Sequence, residues 1–451
     1  MNHLNQDIRV AIDENNPSVT RIENRCIMCG ECARVCSKVE SVNNNYKLSK
    51  AKEPICVNCG QCIKVCPANS LCVKEEYNFV KEQIANKDKI VIVSTSPSVR
   101  VALGDEFGLR RGSFVQGKMV ALLKKLGFKY VLDTNFSADV TICEEASELI
   151  SRIKSKANLP QFTSCCPAWV KFAETFYPEL LPNISSCKSP IGMQGALVKT
   201  YFAKNNNLNP ENIVHVVVTP CTAKKFEIRR EEFNVSSKKN NVAGMRDTDY
   251  CITTTELAKW AKEQKIDFEE LEEQEFDSLM GEASGAGIIF GNSGGVMEAA
   301  LRTAYYYITG NEPTDIVLHF KPMRGVQGIK EAEVNVDGTV LKLACVSGLA
   351  NARVIIDKIK AGEKYDFVEV MTCPGGCIGG GGQPKHLGDE VNTQRARQDA
   401  LYQRDKQVTN KTSHTNKELI DLYNSFLNSP NSSLAKELLH TKYFDRSSDL
   451  G

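Results

Sequence analysis

Residues 26–36 read CIMCGECARVC and residues 56–67 read CVNCGQCIKVCP. Each block spaces its cysteines C-x2-C-x2-C-x3-C, at Cys26, Cys29, Cys32 and Cys36, then at Cys56, Cys59, Cys62 and Cys66. That spacing suits a pair of 4Fe–4S cubes, because three close thiolates hold one cube while the fourth reaches the other. One cube is expected on Cys26, Cys29, Cys32 and Cys66, and the second on Cys56, Cys59, Cys62 and Cys36. A zinc ribbon uses C-x2-C pairs alone and gives the third and fourth cysteines no role. Pro67 follows the second block, whereas Ser37 follows the first, a change that removes no ligand. Such a unit moves electrons and does no substrate chemistry, so the remaining chain must supply the reaction.

The chain has 451 residues, room for about three domains of roughly 150 residues each. Its 18 cysteines are not those of a small secreted disulfide scaffold. In a reducing compartment they serve metal, catalysis or packing. Lys plus Arg is 56 and Asp plus Glu is 55, which gives no electrostatic reason for nucleic acid or an anionic membrane as the main partner. No apolar run reaches the roughly 18 residues of a membrane span. The N-terminal MNHLNQDIRVAIDENN is polar and carries no secretory signal. The chain is therefore read as soluble and cytoplasmic, with no nucleic-acid or membrane partner.

Beyond the blocks the pattern alternates. KIVIVSTSP (89–97), YVLDTN (130–135), NIVHVVVTP (212–220) and DFVEVMTC (366–373) read as strands. VRVALGDEF (99–107), FVQGKMVALLKKLGF (114–128), ADVTICEEASELISRIKS (138–155) and TTTELAKWAKEQK (253–265) read as helices, the last with a threonine cap. This predicts α/β layers with function at the strand ends. Glu145 and Glu148, three apart, fall on one helix face. GSFVQGKM (112–119) mimics a phosphate loop, but Met119 stands where a magnesium-binding hydroxyl is needed. The six histidines are scattered singly, and local spacing assembles no zinc site from them.

Five further cysteines sit in unusual surroundings: Cys165 and Cys166 in FTSCCPAWV, Cys221 in TPCTAKKFE, and Cys373 and Cys377 in MTCPGGCIGGGGQP. The glycines let backbone approach a bulky inorganic object. Adjacent thiols do not easily share one metal, so Cys165 and Cys166 should differ in role. On residues alone, two accounts stand. Cys166, Cys221, Cys373 and Cys377 hold a third cube and leave Cys165 free, or these are buried structural thiols or a redox pair.

These segments resemble the three signature motifs of iron-only (FeFe) hydrogenases, in the same order. STSPSVR (94–100), LDTNFSADVT (132–141), IIFGNSGGVMEAALR (288–302) and LLHTKYF (438–444) extend the resemblance over almost the whole chain. It implies a two-lobed α/β catalytic domain at 87–392, preceded by an α+β two-cluster ferredoxin-like domain at 1–86 and followed by a small-subunit-like helical extension at 393–451. It implies an H-cluster: a cube on Cys166, Cys221, Cys373 and Cys377, with Cys377 bridging to a diiron subsite carrying CO, cyanide and azadithiolate. Lys224 is similar to the lysine that holds a cyanide. Ser96, Pro97, Phe290, Met371 and Thr219 align with pocket residues. Cys165 matches a proton-relaying thiol, continued towards solvent by Glu145, Ser185, Glu148 and Arg152. Cys72, Cys143, Cys187, Cys251 and Cys345 match no ligand and are read as small buried hydrophobes, with contact to the relay as the alternative for Cys187, which is close to Ser185 in sequence.

The sequence departs from the commonest pattern at Thr219, where methionine is usual, at Ala168 for glycine and at Ile191 for glutamine, which points to a less-studied subclass. The implied function is reversible interconversion of H2 with protons and electrons. The expected partners are a ferredoxin or flavodoxin and the hydrogenase maturation proteins, and the chain is expected to be a monomer. With about 25 residues ahead of Cys26, no further 2Fe–2S domain is expected. An H2 sensor would normally lose the relay cysteine and add a signalling domain. An iron–sulfur assembly factor of the same family lacks the diiron site, and the intact TSCCPAW and CPGGC motifs argue against it.

Overall fold

The computed structural model describes residues 8–451, so residues 1–7 of the polar N-terminal stretch lie outside the described residues. Ten strands, β1 (Val19–Arg21), β2 (Leu71–Val73), β3 (Ile90–Thr95), β4 (Tyr130–Asp133), β5 (Gln161–Phe162), β6 (Ile213–Thr219), β7 (Tyr250–Thr253), β8 (Ile329–Val336), β9 (Thr339–Ser347) and β10 (Phe367–Met371), build three sheets. β1 and β2 form an antiparallel ribbon beside the cysteine blocks.

The first large sheet runs β4-β3-β6-β7, all parallel. IVIVST and IVHVVVT are continuous apolar runs because both faces of a parallel sheet are covered. Val91, Val93, Val216 and Val218 pack with the helices Gln116–Lys125 and Thr254–Glu263. The alternate residues Ile92, Leu132 and Ile213 pack with the helices Thr134–Ser155 and Pro190–Leu197. The second sheet runs β5-β10-β9-β8, parallel except for the β8–β9 hairpin. Helices Pro167–Phe176 and Leu349–Lys360 cover one face and Gly295–Thr309 the other. Mixed α/β architecture is what the alternating sequence pattern predicted. Among the described residues, no helix is long and apolar enough to cross a membrane.

Three local expectations need correction. Residues 99–107 do not make an α-helix but two tight 3-10 turns, Pro97–Val101 and Leu103–Phe107. Arg100 is drawn inward there to Asp133 at 2.8 Å, and Gly108 closes the second turn in a left-handed conformation. The helix expected from Ala138 begins at Thr134, because Asp133 caps it by accepting from the Asn135 N–H at 2.9 Å. The β8–β9 hairpin went unread, although its signal, Asp337-Gly338 between alternating residues, is present and both turn residues have positive φ. The expected threonine cap is found: Thr253 forms a reciprocal capping box with Glu256.

Candidate active site

The chain leaves β3, β5, β6 and β10 at their carboxyl ends towards one space between the two sheets. Ser96 and Pro97 follow β3, Cys221 follows β6, Cys165 and Cys166 follow β5, and Cys373 and Cys377 follow β10. Ligand sites of open α/β sheets lie at such ends. Together with Thr219, Lys224, Phe290 and Met371, these residues line one cavity. Gly376 holds φ +96°, and a Cβ there would lie 2.5 Å from the Ser293 nitrogen, so only glycine turns the chain between Cys373 and Cys377. Burial pushes the Cys221 thiol up to about 12 and raises those of Cys373 and Cys377 as well, with mutual thiolate repulsion adding to it. Lys224 counters this, and donates to the Cys165 carbonyl at 3.0 Å and to Glu227 at 2.8 Å. So many buried thiols around one space, with one lysine among them, form a donor set for a polynuclear cation.

Two smaller cavities lie in the N-terminal domain. Cys26, Cys29, Cys32 and Cys66 line one, and Cys36, Cys56, Cys59 and Cys62 line the other. These are the interlocked sets expected from the spacing. The second set abuts the large cavity. Gln61 donates to the Gly379 carbonyl at 3.0 Å, Thr222 donates to the Asn58 carbonyl at 2.7 Å, and a Cβ on Gly381 would lie 2.5 Å from the Cys59 carbonyl.

Of the residues expected to relay protons, Cys165 lines the large cavity, while the others lead away from it. Glu145, Glu148 and Arg152 share one stripe of the helix Thr134–Ser155. Glu145 is fully buried, and burial first, then the neighbouring Glu148, pushes its carboxyl up to about 8. Ser185 donates to Glu148 Oε2 at 2.7 Å, and Arg152 donates to Glu148 Oε1 at 2.7 Å and to the Ile184 carbonyl at 3.0 Å. Glu148 and Arg152 are 14% and 12% exposed, so the series runs from an enclosed space to the surface. Cys143, Cys187, Cys251 and Cys345 are buried as expected, whereas Cys72 is only half-buried on β2.

Comparison with known proteins decides what this cavity belongs to. The family described as iron only hydrogenase large subunit, C-terminal domain, matches residues 89–381, and the iron hydrogenase small subunit family matches residues 390–446. The chain belongs to the iron-only hydrogenases. It is 43% identical to an NADP-reducing hydrogenase subunit of Solidesulfovibrio fructosivorans, over 99% of this chain and 77% of that one. Iron hydrogenase 1 of Clostridium pasteurianum is 42% identical over 98% of this chain and 78% of its own. A solved apo FeFe-hydrogenase from Chlamydomonas reinhardtii superposes with a TM-score of 0.71 at 38% identity, covering 82% of this chain and 98% of that one. Cytosolic Fe–S cluster assembly factors also match, at 33% identity for that of Xenopus tropicalis.

The hydrogenase cavity shows what Thr219 does. Its hydroxyl accepts the Cys221 N–H at 3.3 Å, which ties it to the backbone of a thiol that lines the cavity. Thr219→Met removes that bond and places a polarizable apolar chain in the pocket. One hydrogen bond of roughly 1 kcal/mol moves a two-electron couple by about 20 mV. The ratio of H2 oxidation to evolution current on one electrode film should change several-fold, and an unchanged ratio with a fully loaded cluster contradicts this role. Sequence reasoning also missed a group beside Glu148. Ser186 donates to Glu148 Oε1 at 3.2 Å and bonds His440 Nδ1 at 2.8 Å, while His440 Nε2 lies 3.1 Å from Glu144. The LLHTKYF stretch carried the signal, but nothing local ties it to residue 148.

Proposed function

We infer that the hydrogenase interconverts H2 with protons and electrons at an H-cluster held by Cys166, Cys221, Cys373 and Cys377, fed through two 4Fe–4S clusters on the N-terminal thiols. The observation that carries this reading is the joint lining of one cavity by those four thiols, the spare thiol of Cys165 and the ammonium of Lys224. When bound, the clusters supply electron transfer and, at the diiron unit, the making and breaking of H2.

The chain's own residues do the rest. Pro97, Phe290 and Met371 keep the cavity apolar and exclude bulk water. Lys224 places a positive charge where anionic ligands would sit. Cys165 Sγ gives and takes the proton at the cavity wall. Glu145, neutral at pH 7 by virtue of its burial, stands ready as the next donor. Ser185 and Glu148 carry the proton on, and Arg152 fixes the Glu148 carboxylate at the surface. The domain limits 1–86, 87–392 and 393–451, a ferredoxin or flavodoxin as electron carrier, and loading by maturation proteins complete the proposal. A cytoplasmic setting suits a chain with 18 cysteines.

The test is an infrared spectrum with iron analysis of protein matured by the assembly proteins. Bands of CO and cyanide are expected, with about 14 irons per chain from three cubes and two further irons. Matured protein with no such bands favours the assembly-factor reading. H2 evolution by protein made without the maturation partners contradicts the cluster assignment.

A further inference from the structure

The C-terminal tail closes over the outer end of the proton route. His440 and Cys187 pair as antiparallel bridge partners, with Lys188 N–H bonded to the Leu439 carbonyl at 2.8 Å and Thr441 N–H to the Ser186 carbonyl at 2.7 Å. This brings a thiol and an imidazole, distant in sequence, onto the helix that carries Glu148. One ligand atom each from Glu148, Cys187 and His440 lie within 4.8 Å of one another, and Cys187 Sγ is 3.9 Å from Glu148 Oε2. We propose that these three side chains form a zinc-binding site at the solvent end of the hydrogenase's proton route.

Four features support a thiophilic divalent cation there. Carboxylate, thiolate and imidazole are the usual zinc donors, and three protein ligands leave a fourth position for water or the Ser186 hydroxyl. His440 turns Nδ1 towards the Ser186 hydroxyl, which leaves Nε2 on Glu144. A carboxylate behind a ligating histidine fixes ring orientation and raises its basicity. Glu144 is itself fully buried and held by the Tyr423 hydroxyl at 2.7 Å and the Asn431 N–H at 2.7 Å, so the support is rigid. Finally, the His440 and Glu148 side chains are 8% and 14% exposed, which gives the ion a way in. Binding replaces the Cys187 thiol proton, which is released to water, and no electron moves.

The consequence for turnover rests on the proton-route reading above. Glu148 Oε2 is the atom that accepts from Ser185. Zinc on that oxygen competes with the Ser185 hydroxyl and occupies the carboxylate that must be protonated and deprotonated. Filling the site should therefore close the route reversibly.

The experiment uses matured holoenzyme and zinc sulfate, with magnesium sulfate as the hard-cation control. Equilibrium dialysis with metal analysis should find one tightly held zinc per chain and no magnesium. X-ray absorption at the zinc edge should show one sulfur at about 2.3 Å with nitrogen and oxygen at about 2.0–2.1 Å. Cys187→Ala and His440→Gln should each weaken binding at least about 10-fold. A zinc shell without sulfur in the wild-type protein overturns the site whether or not the variants fold, as does binding unchanged in both variants. H2 turnover should fall as the site fills and return on chelation. Zinc bound in the expected shell with turnover unaffected keeps the site and removes Glu148 from the proton route.

Discussion

Cys165→Ala is expected to lower H2 turnover about 100- to 10,000-fold while leaving the four cluster thiols in place. Cys165 is the spare thiol of the cavity wall, next to a thiol proposed as a ligand. Its position comes from the turn after β5, which the Ser164 hydroxyl anchors on the Cys187 carbonyl at 2.7 Å. Burial first, then the Glu145 carboxylate, pushes the Cys165 thiol well above its ordinary range, so it holds its proton until a stronger base takes it. Alanine offers neither donor nor acceptor at that wall, and its neighbours are apolar or already committed. The measurement is reductant-driven H2 evolution beside an infrared spectrum of the same sample. Full activity with normal CO bands would remove Cys165 from proton transfer.

Glu145→Gln is expected to slow turnover by at least about 100-fold, because glutamine keeps the shape but cannot exchange a proton. Glu145 is completely enclosed, so bulk solvent does not reach the position that glutamine would take over. The same substitution separates this role from a packing role through stability. The Glu145 carboxyl is pushed up to about 8 by burial, above an unfolded value near 4.3. Between those values the native state keeps a proton that the unfolded state has released. Stability contributed by this group is thus present in full below about pH 4.3 and is lost as pH rises through about 8. Glu145→Gln should therefore gain thermal stability over the parent at pH 9 relative to pH 6, while activity stays low at both. Undiminished activity at pH 7 would take Glu145 out of the route. An unchanged stability difference between the two pH values would show that the native carboxyl is already ionised.

Parts whose geometry is local were legible in the sequence. Thiols three apart in CIMCGEC and CVNCGQC must fall on one tight loop, so two four-thiol sets were readable before any fold was known. Continuous apolar runs named β3, β4, β6 and β10, because such sheets are buried on both faces, whereas the parallel strands β5, β7 and β9 went unread. The motif around Cys373 and Cys377 carried its own glycines for the same reason. Only the tertiary structure decided which residues meet across long separations. Glu145 and Glu148 on one helix face look the same in sequence whether that face is wet or sealed. It is the packing around Glu145 that keeps one carboxyl neutral, while Glu148 reaches Ser185 and the surface. His440 and Cys187 gave no spacing signal, since they lie 253 positions apart in the chain and the contact exists only because the tail adds a bridge beside Cys187. Spacing along the chain reports what a few rotatable bonds allow, and burial and proton affinity are set by neighbours that only folding supplies.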